Sequence, residues 1–206
     1  MKRVCGLLVF GILVVSSVCY AADAELRLRP YYLLPEQDDY WDHVLGIDAR
    51  YVFWTNPNMG IALSGGWAIW KANDDVFFED GLAAQLDGSA LVMPLGASVL
   101  IRPMPADAQF DLTLEGGLRY VVVDSNVDLA ATDFYYYAED ELDIENGVVG
   151  VIGAEFGFPL SDAMGLSFGF GYQFDISEGD VEWFGVDIEE FEMEGFYFNF
   201  GLNIGL

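Results

Sequence analysis

The chain has 206 residues, 53% apolar and 16% aromatic, and only eight Lys and Arg stand against 34 Asp and Glu. A net charge of −26 with no Lys or Arg after Arg119 excludes binding to a nucleic-acid backbone, which takes clustered cations. Beyond residue 20 no apolar run approaches the ~20 residues of a membrane helix, so the chain is one domain's worth of something other than a helical membrane protein.

Lys2 and Arg3 open the chain, Val4 to Val18 is apolar, and small residues at Cys19-Tyr20-Ala21 and Ala22-Asp23-Ala24 each fit a cleavage site. A signal peptide is expected over 1–21, cut after Ala21 or Ala24, with a single β-barrel domain over 22–206. A retained anchor is the alternative, but about 15 apolar residues make a short span. Cys19 would suit a lipoprotein only if a small residue stood at Val18. Both cysteines, Cys5 and Cys19, fall in this leader, so the mature chain is expected to hold no disulfide, thiol catalyst or Cys metal site.

From Ala24 onward the period is two, the period of strands whose side chains alternate between faces. Candidate strands fall at 25–34, 44–55, 59–72, 89–102, 109–124, 146–159, 165–176 and 191–206. Between them, Asn56-Pro57-Asn58, 103–108 and 161–164 are short turns, whereas 35–43, 73–88, 125–145 and 177–190 are longer and acidic. Eight strands with connections alternating short and long predict an antiparallel up-and-down barrel, both termini at the end that carries the short turns.

The composition of the two faces decides which points inward. In 110–122, Phe110, Leu112, Leu114, Leu118 and Tyr120 share one face, and Asp111, Thr113, Glu115, Gly117 and Arg119 the other. In 166–175, Leu166, Phe168, Phe170 and Tyr172 oppose Ser167, Gly169, Gly171, Gln173 and Asp175. Small and polar residues suit the narrow interior of an eight-stranded barrel, and an apolar, aromatic exterior suits lipid. Tyr51, Phe53, Trp67, Tyr120, Tyr172 and Phe196 lie near strand ends, where interfacial girdles sit. The fold expected is a transmembrane β-barrel; a soluble lipocalin-like barrel or sandwich would want a charged outer face instead.

The ending FYFNFGLNIGL, Phe196 to Leu206, resembles the terminal strand of bacterial outer-membrane proteins, except that it closes on Leu rather than Phe. Gly46 to Trp67, GIDARYVFWTNPNMGIALSGGW, resembles the second hairpin of the small OmpA-like and OmpX-like "porin family" barrels, and Met93-Pro94-Leu95-Gly96 the entry to their fourth strand. The resemblance covers nearly all of the mature chain through architectural motifs. It implies an integral barrel of the bacterial outer membrane, with N- and C-termini on the periplasmic side. It also implies lipid and lipopolysaccharide as surroundings and the barrel-assembly machinery as a partner in biogenesis. It implies no reaction.

The charges divide into two populations. The alternation sends Arg27, Arg29, Arg50 and Arg119 into the lumen with Asp48, Asp111, Glu115, Glu155 and Asp175, and leaves Lys71 and Arg102 as the mature cations outside it. Arg50 and Glu115 fall mid-strand on walls that face across a narrow bore, where bidentate pairs can tie the walls together. Such a network serves as a gate or, as eight strands leave little open bore, as a polar plug that fixes register. Most other acids fall in the long connections, among them Asp74, Asp75, Glu139, Asp140, Glu141, Glu189 and Glu190. Their carboxylates could hold Ca²⁺ or Mg²⁺ or bridge to lipopolysaccharide phosphates, although no calcium-loop spacing is present and solvated loops need the same charges. Trp41, Tyr135, Tyr136, Tyr137, Trp183 and Phe184 lie among these acids, as a recognition surface or as the packing of strands that rise past the membrane.

Catalysis finds few candidates. Some barrels of this size modify lipid A, but the single histidine, His43, sits beside Asp42 ahead of a strand, with no matching serine motif. With no histidine pair, phosphate loop or cofactor motif, no enzyme activity is expected. The sequence favours a structural or surface-interaction role, with a passive small-solute channel as the alternative and a lipid-modifying enzyme third.

Overall fold

A computed structural model describes residues 24–36, 41–73, 76–79, 82–104, 110–132, 137–177, 179–183 and 186–206. The leader through Asp23, with the cut after Ala21, lies outside them, whereas the alternative cut after Ala24 falls within the first strand. Thirteen strands occur: β1 Ala24–Pro35, β2 Trp41–Asn56, β3 Met59–Ala72, β4 Val76–Glu79, β5 Leu82–Ile101, β6 Asp111–Thr132, β7 Tyr137–Glu141, β8 Asp143–Ile144, β9 Gly147–Pro159, β10 Met164–Ser177, β11 Gly179–Trp183, β12 Val186–Phe191 and β13 Gly195–Gly205.

Eight of them form the wall, in the order β1-β2-β3-β5-β6-β9-β10-β13, each antiparallel to its neighbours. β13 returns to pair with β1, from Glu25↔Gly205 to Pro35↔Gly195, so the eight-stranded wall closes on itself. That closure is what a bilayer demands, because hydrocarbon cannot hydrogen-bond an open ladder. It is extended at one end by Leu206 N–H to Ala24 O (2.9 Å) and at the other by Glu36 N–H to Glu194 O (3.1 Å).

The end that carries the termini has tight connections. Between β2 and β3, Asn56 Oδ1 accepts the N–H groups of Asn58 and Met59, both at 2.9 Å, so the asparagine side chain substitutes for ladder bonds around Pro57. Between β9 and β10, Ser161 Oγ accepts Met164 N–H at 3.1 Å. At the far end β5 and β6 run on past the barrel, paired from Ala83↔Thr132 onward, with β4 and β7 flanking them; β8, β11 and β12 make a separate small sheet. The connections 73–88, 125–145 and 177–190, expected as loops, therefore contain strands. In β6 the alternation in fact continues past the barrel proper, with Asp124, Asn126 and Asp128 exposed and Val127 on the other face fully buried.

The faces divide as the alternation expects. Trp67 (59% exposed), Leu95 (56%), Leu118 (56%), Phe196 (58%) and Phe200 (55%) belong to a continuous apolar outer belt, which for a barrel in water would be an aggregation hazard and for one in lipid is the required surface. Inward positions are small where a neighbour is large: a Cβ at Gly153 or Gly171 would run into the Tyr197 hydroxyl, and Tyr197 is itself buried.

Candidate functional site

The lumen is built in layers, because successive inward positions of one strand descend through it. On β1 the inward series is Glu25, Arg27, Arg29, Tyr31 and Leu33; on β6 it is Asp111, Thr113, Glu115, Gly117, Arg119 and Val121. Both begin ionic and end apolar. The layers follow from that shared order.

Arg29 is the hub of the ionic layer. Its Nε and Nη2 donate to Asp48 Oδ1 (2.9 Å) and Oδ2 (2.6 Å) on the neighbouring strand, while Nη1 crosses the bore to Glu155 Oε2 (3.1 Å) on β9. Arg27 Nη1 joins the same carboxylate through Oε1 at 2.5 Å. Arg50 Nη1 donates to Glu115 Oε2 and its Nε to Asp48 Oδ2 (3.3 Å), and Ser98 Oγ completes Glu115 at 2.8 Å. Arg119 stands at the layer's upper boundary, 3.9 Å from Asp48 Oδ2, its guanidinium 5.9 Å from the Tyr197 ring centre. The forked geometry of guanidinium against carboxylate makes the network directional, joining β1, β2, β6 and β9 across the lumen.

Two residues that the alternation reading left out belong here. Glu25 Oε2 accepts from Arg27 Nη2 (3.0 Å), Trp54 Nε1 (3.1 Å) and Arg102 Nη2 (3.3 Å). Arg102, assigned outside the lumen from sequence, pairs through Nε with Asp111 Oδ2 at 2.5 Å and lies 3.5 Å over the Trp54 ring. The signal was present: Leu100 is inward and fully buried, so Arg102, two residues on, continues the same face. Among the described residues the lumen thus balances five cations, Arg27, Arg29, Arg50, Arg102 and Arg119, against five anions, Glu25, Asp48, Asp111, Glu115 and Glu155. Asp175, placed with this network from sequence, sits higher and accepts Met193 N–H at 2.8 Å.

Above the ions is an apolar layer that the sequence reading did not separate. Leu33, Val44, Trp70, Val92, Val121, Val149 and Met193 are buried together, and Leu142, Ile144 of β8 and Val181 of β11 close it from above. Trp41, a candidate for surface recognition, is 4% exposed and packs edge-on against Trp70, ring centres 5.8 Å apart. Among the described residues, three cavities of about 10 Å³ each lie in the lumen, room for about one water apiece. The lowest is lined by Arg27, Arg50 and Glu155, the next by Arg119, Asp48 and Asn199, and the highest by Leu33, Trp70, Val92 and Met193. A chamber of about 570 Å³ opens at the end that carries the termini, floored by Glu25, Arg102 and Asp111.

His43 lies outside the lumen, its Nδ1 2.7 Å from Asp42 Oδ2 and its ring stacked on Tyr32 at 6.1 Å. Of the acids weighed as divalent ligands, Asp74 and Asp75 lie outside the described residues, as do the side chains of Glu139, Asp140 and Glu141 on β7 and of Glu189 and Glu190 on β12. Tyr135, Tyr136 and Phe184 also lie outside them, and so do the side chains of Tyr137 and Trp183.

No protein-family model and no curated protein sequence matches the chain. Solved structures do. The chain is similar to the outer membrane protein OprG from Pseudomonas aeruginosa, with a TM-score of 0.60 at 9% identity over 90% of this chain and 96% of that one. It is also similar to a major outer membrane protein from Thermus thermophilus, with a TM-score of 0.57 at 13% identity over 91% of this chain and all of that one. The fold is that of a small outer-membrane β-barrel. At such identities the likeness extends to the closed eight-stranded wall and not to particular lumen residues.

Proposed function

We propose that the chain is an integral protein of the bacterial outer membrane with a structural or surface-interaction role, its termini facing the periplasm and its lumen a plug. The observation that carries this reading is the filling of the lumen: an ionic layer with balanced charge lies under an apolar layer, and the cavities among them are each about one water in size. A hydrated ion has no path of its own width through such a stack. The tall β5–β6 hairpin and the acidic segments around it then form the part that meets the outside, beside lipid and lipopolysaccharide. β13, the partner of β1 that closes the ring, is the strand the assembly machinery would receive.

Planar-bilayer recording tests the plug. The purified barrel is expected to show no steady open state at moderate voltage, and a sustained conductance would replace the plug with the passive small-solute channel.

A further inference from the structure

Segment 192–194 joins β12 to β13 at the far mouth of the barrel, and three features distinguish it. The chain enters β13 through Gly195, whose φ of +157° and close approach to the Leu34 carbonyl leave no room for a Cβ. Met193, 1% exposed, reaches into the apolar layer and forms part of the roof of the highest lumen cavity, together with Leu33, Val44 and Trp70. Its backbone is held by two side chains of β10: Met193 N–H donates to Asp175 Oδ2 (2.8 Å), and Gln173 Nε2 donates to Met193 O (2.6 Å).

We infer that 192–194 is a strap that completes the seal of the lumen at the far end beside Leu142, Ile144 and Val181, latched by Gln173 and Asp175, and that its release admits water and small solutes down to the ionic layer. The cavities beneath it are in series. The highest shares Tyr31, Leu33 and Gln173 with the middle one, which shares Arg29, Tyr197 and Asn199 with the lowest. Gln173 therefore holds the strap and walls the first two cavities at once, so a movement that frees Met193 also opens the passage below it. The two side-chain hydrogen bonds of the latch, with the single backbone bond from Glu36 N–H to Glu194 O beside them, are far weaker than the ladders of the wall, which puts strap opening among local events that leave the barrel closed.

The strap is independent of the plug. The plug concerns passage through the whole lumen, and the strap concerns access from one end as far as Arg119. Access is measured by placing a cysteine below the strap, Val121→Cys, where the wild-type side chain is 2% exposed. Its labelling by a membrane-impermeant methanethiosulfonate is followed on the refolded full-length mature barrel in detergent micelles. With the latch intact the thiol is expected to react slowly; adding Gln173→Ala with Asp175→Ala should speed the reaction roughly tenfold or more, as loss of two hydrogen bonds of ordinary strength predicts. Heat-modifiable migration on gels shows that each variant is folded. If the double change prevents folding, Gln173→Met, which keeps volume and loses only the donor, decides the matter with a rise of roughly fivefold. Equal labelling rates with and without the latch changes overturn the strap, whatever the conductance of the wild type.

Discussion

The two layers of the lumen solve the same packing problem by opposite chemistry. Around Arg29 the walls are joined by directional charge pairs, and each guanidinium fixes which carboxylate, on which strand, lies opposite it. Around Trp70 the walls are joined by volume, with Leu33, Val44, Val92, Val121 and Met193 filling space without specifying a partner. A small displacement of β1, β2, β6 or β9 would separate the charge pairs of the first layer, whereas the second could repack around it. The ionic layer is therefore the part that defines register, and the apolar layer the part that excludes water.

The largest test of this contrast removes one ion. Arg50→Ala should leave Asp48 and Glu115 undercompensated and cost about 3–5 kcal/mol in a urea refolding titration into lipid vesicles, without raising conductance. Arg50→Met combined with Glu115→Leu should recover much of that loss, since a pair exchanged for apolar volume is close to neutral. A conducting Arg50→Ala barrel would make the ionic layer a gate. Next, Leu33→Ala in the apolar layer should cost about 2–5 kcal/mol by transfer and cavity terms, in the same titration. Restoration by a second large-to-small repacking change nearby would show that this layer specifies volume alone. On the outer face, Leu114→Arg should cost about 2–4 kcal/mol near the membrane midplane, while Gly116→Ala, whose Cβ would meet nothing within 4 Å, should be almost neutral. The smallest effect is one of pH at the strap. Burial, with Glu36 and then Glu192 beside it, raises the Glu194 carboxyl above its ordinary value. A raised carboxyl favours the folded strap below the ordinary carboxylate range, and that contribution is lost as pH rises through the raised value. Proteolysis near 192–194 should thus increase slightly as pH climbs through that window, and Glu194→Gln should flatten the profile.

The wall was legible in the sequence because strand alternation is local: the opposite faces of Leu114 and Glu115 follow from adjacency alone. The partners in the lumen were not, because Arg27 and Glu155 are 128 residues apart and meet only through the stagger of eight strands. Arg102 was lost at a strand end where Pro103 suggested that the pattern had stopped, although the side chain keeps to the inward face. Met193 was read within a strand over 191–206, which begins only at Gly195; its inward parity with Tyr197 and Asn199 was legible, while its hold by Gln173 and Asp175 was not. In the extension of β6 the period of two persists, exposed Asp124, Asn126 and Asp128 alternating with buried Val127, but the acidic composition of 125–145 suggested a solvated connection instead.

Leu206 N–H donates to Ala24 O over 2.9 Å, and the β1–β13 ladder beneath that bond is of the same kind as every other in the wall. The cylinder accordingly has no seam, and the position of the chain ends on its circumference is arbitrary to its form. A circular permutant, with a short linker across those ends and new ends opened in the Pro57-Asn58 turn, would retain all eight neighbour pairings. What the natural order fixes is the timing of synthesis, in which β13, the strand that completes the ring, is made after the other seven strands of the wall.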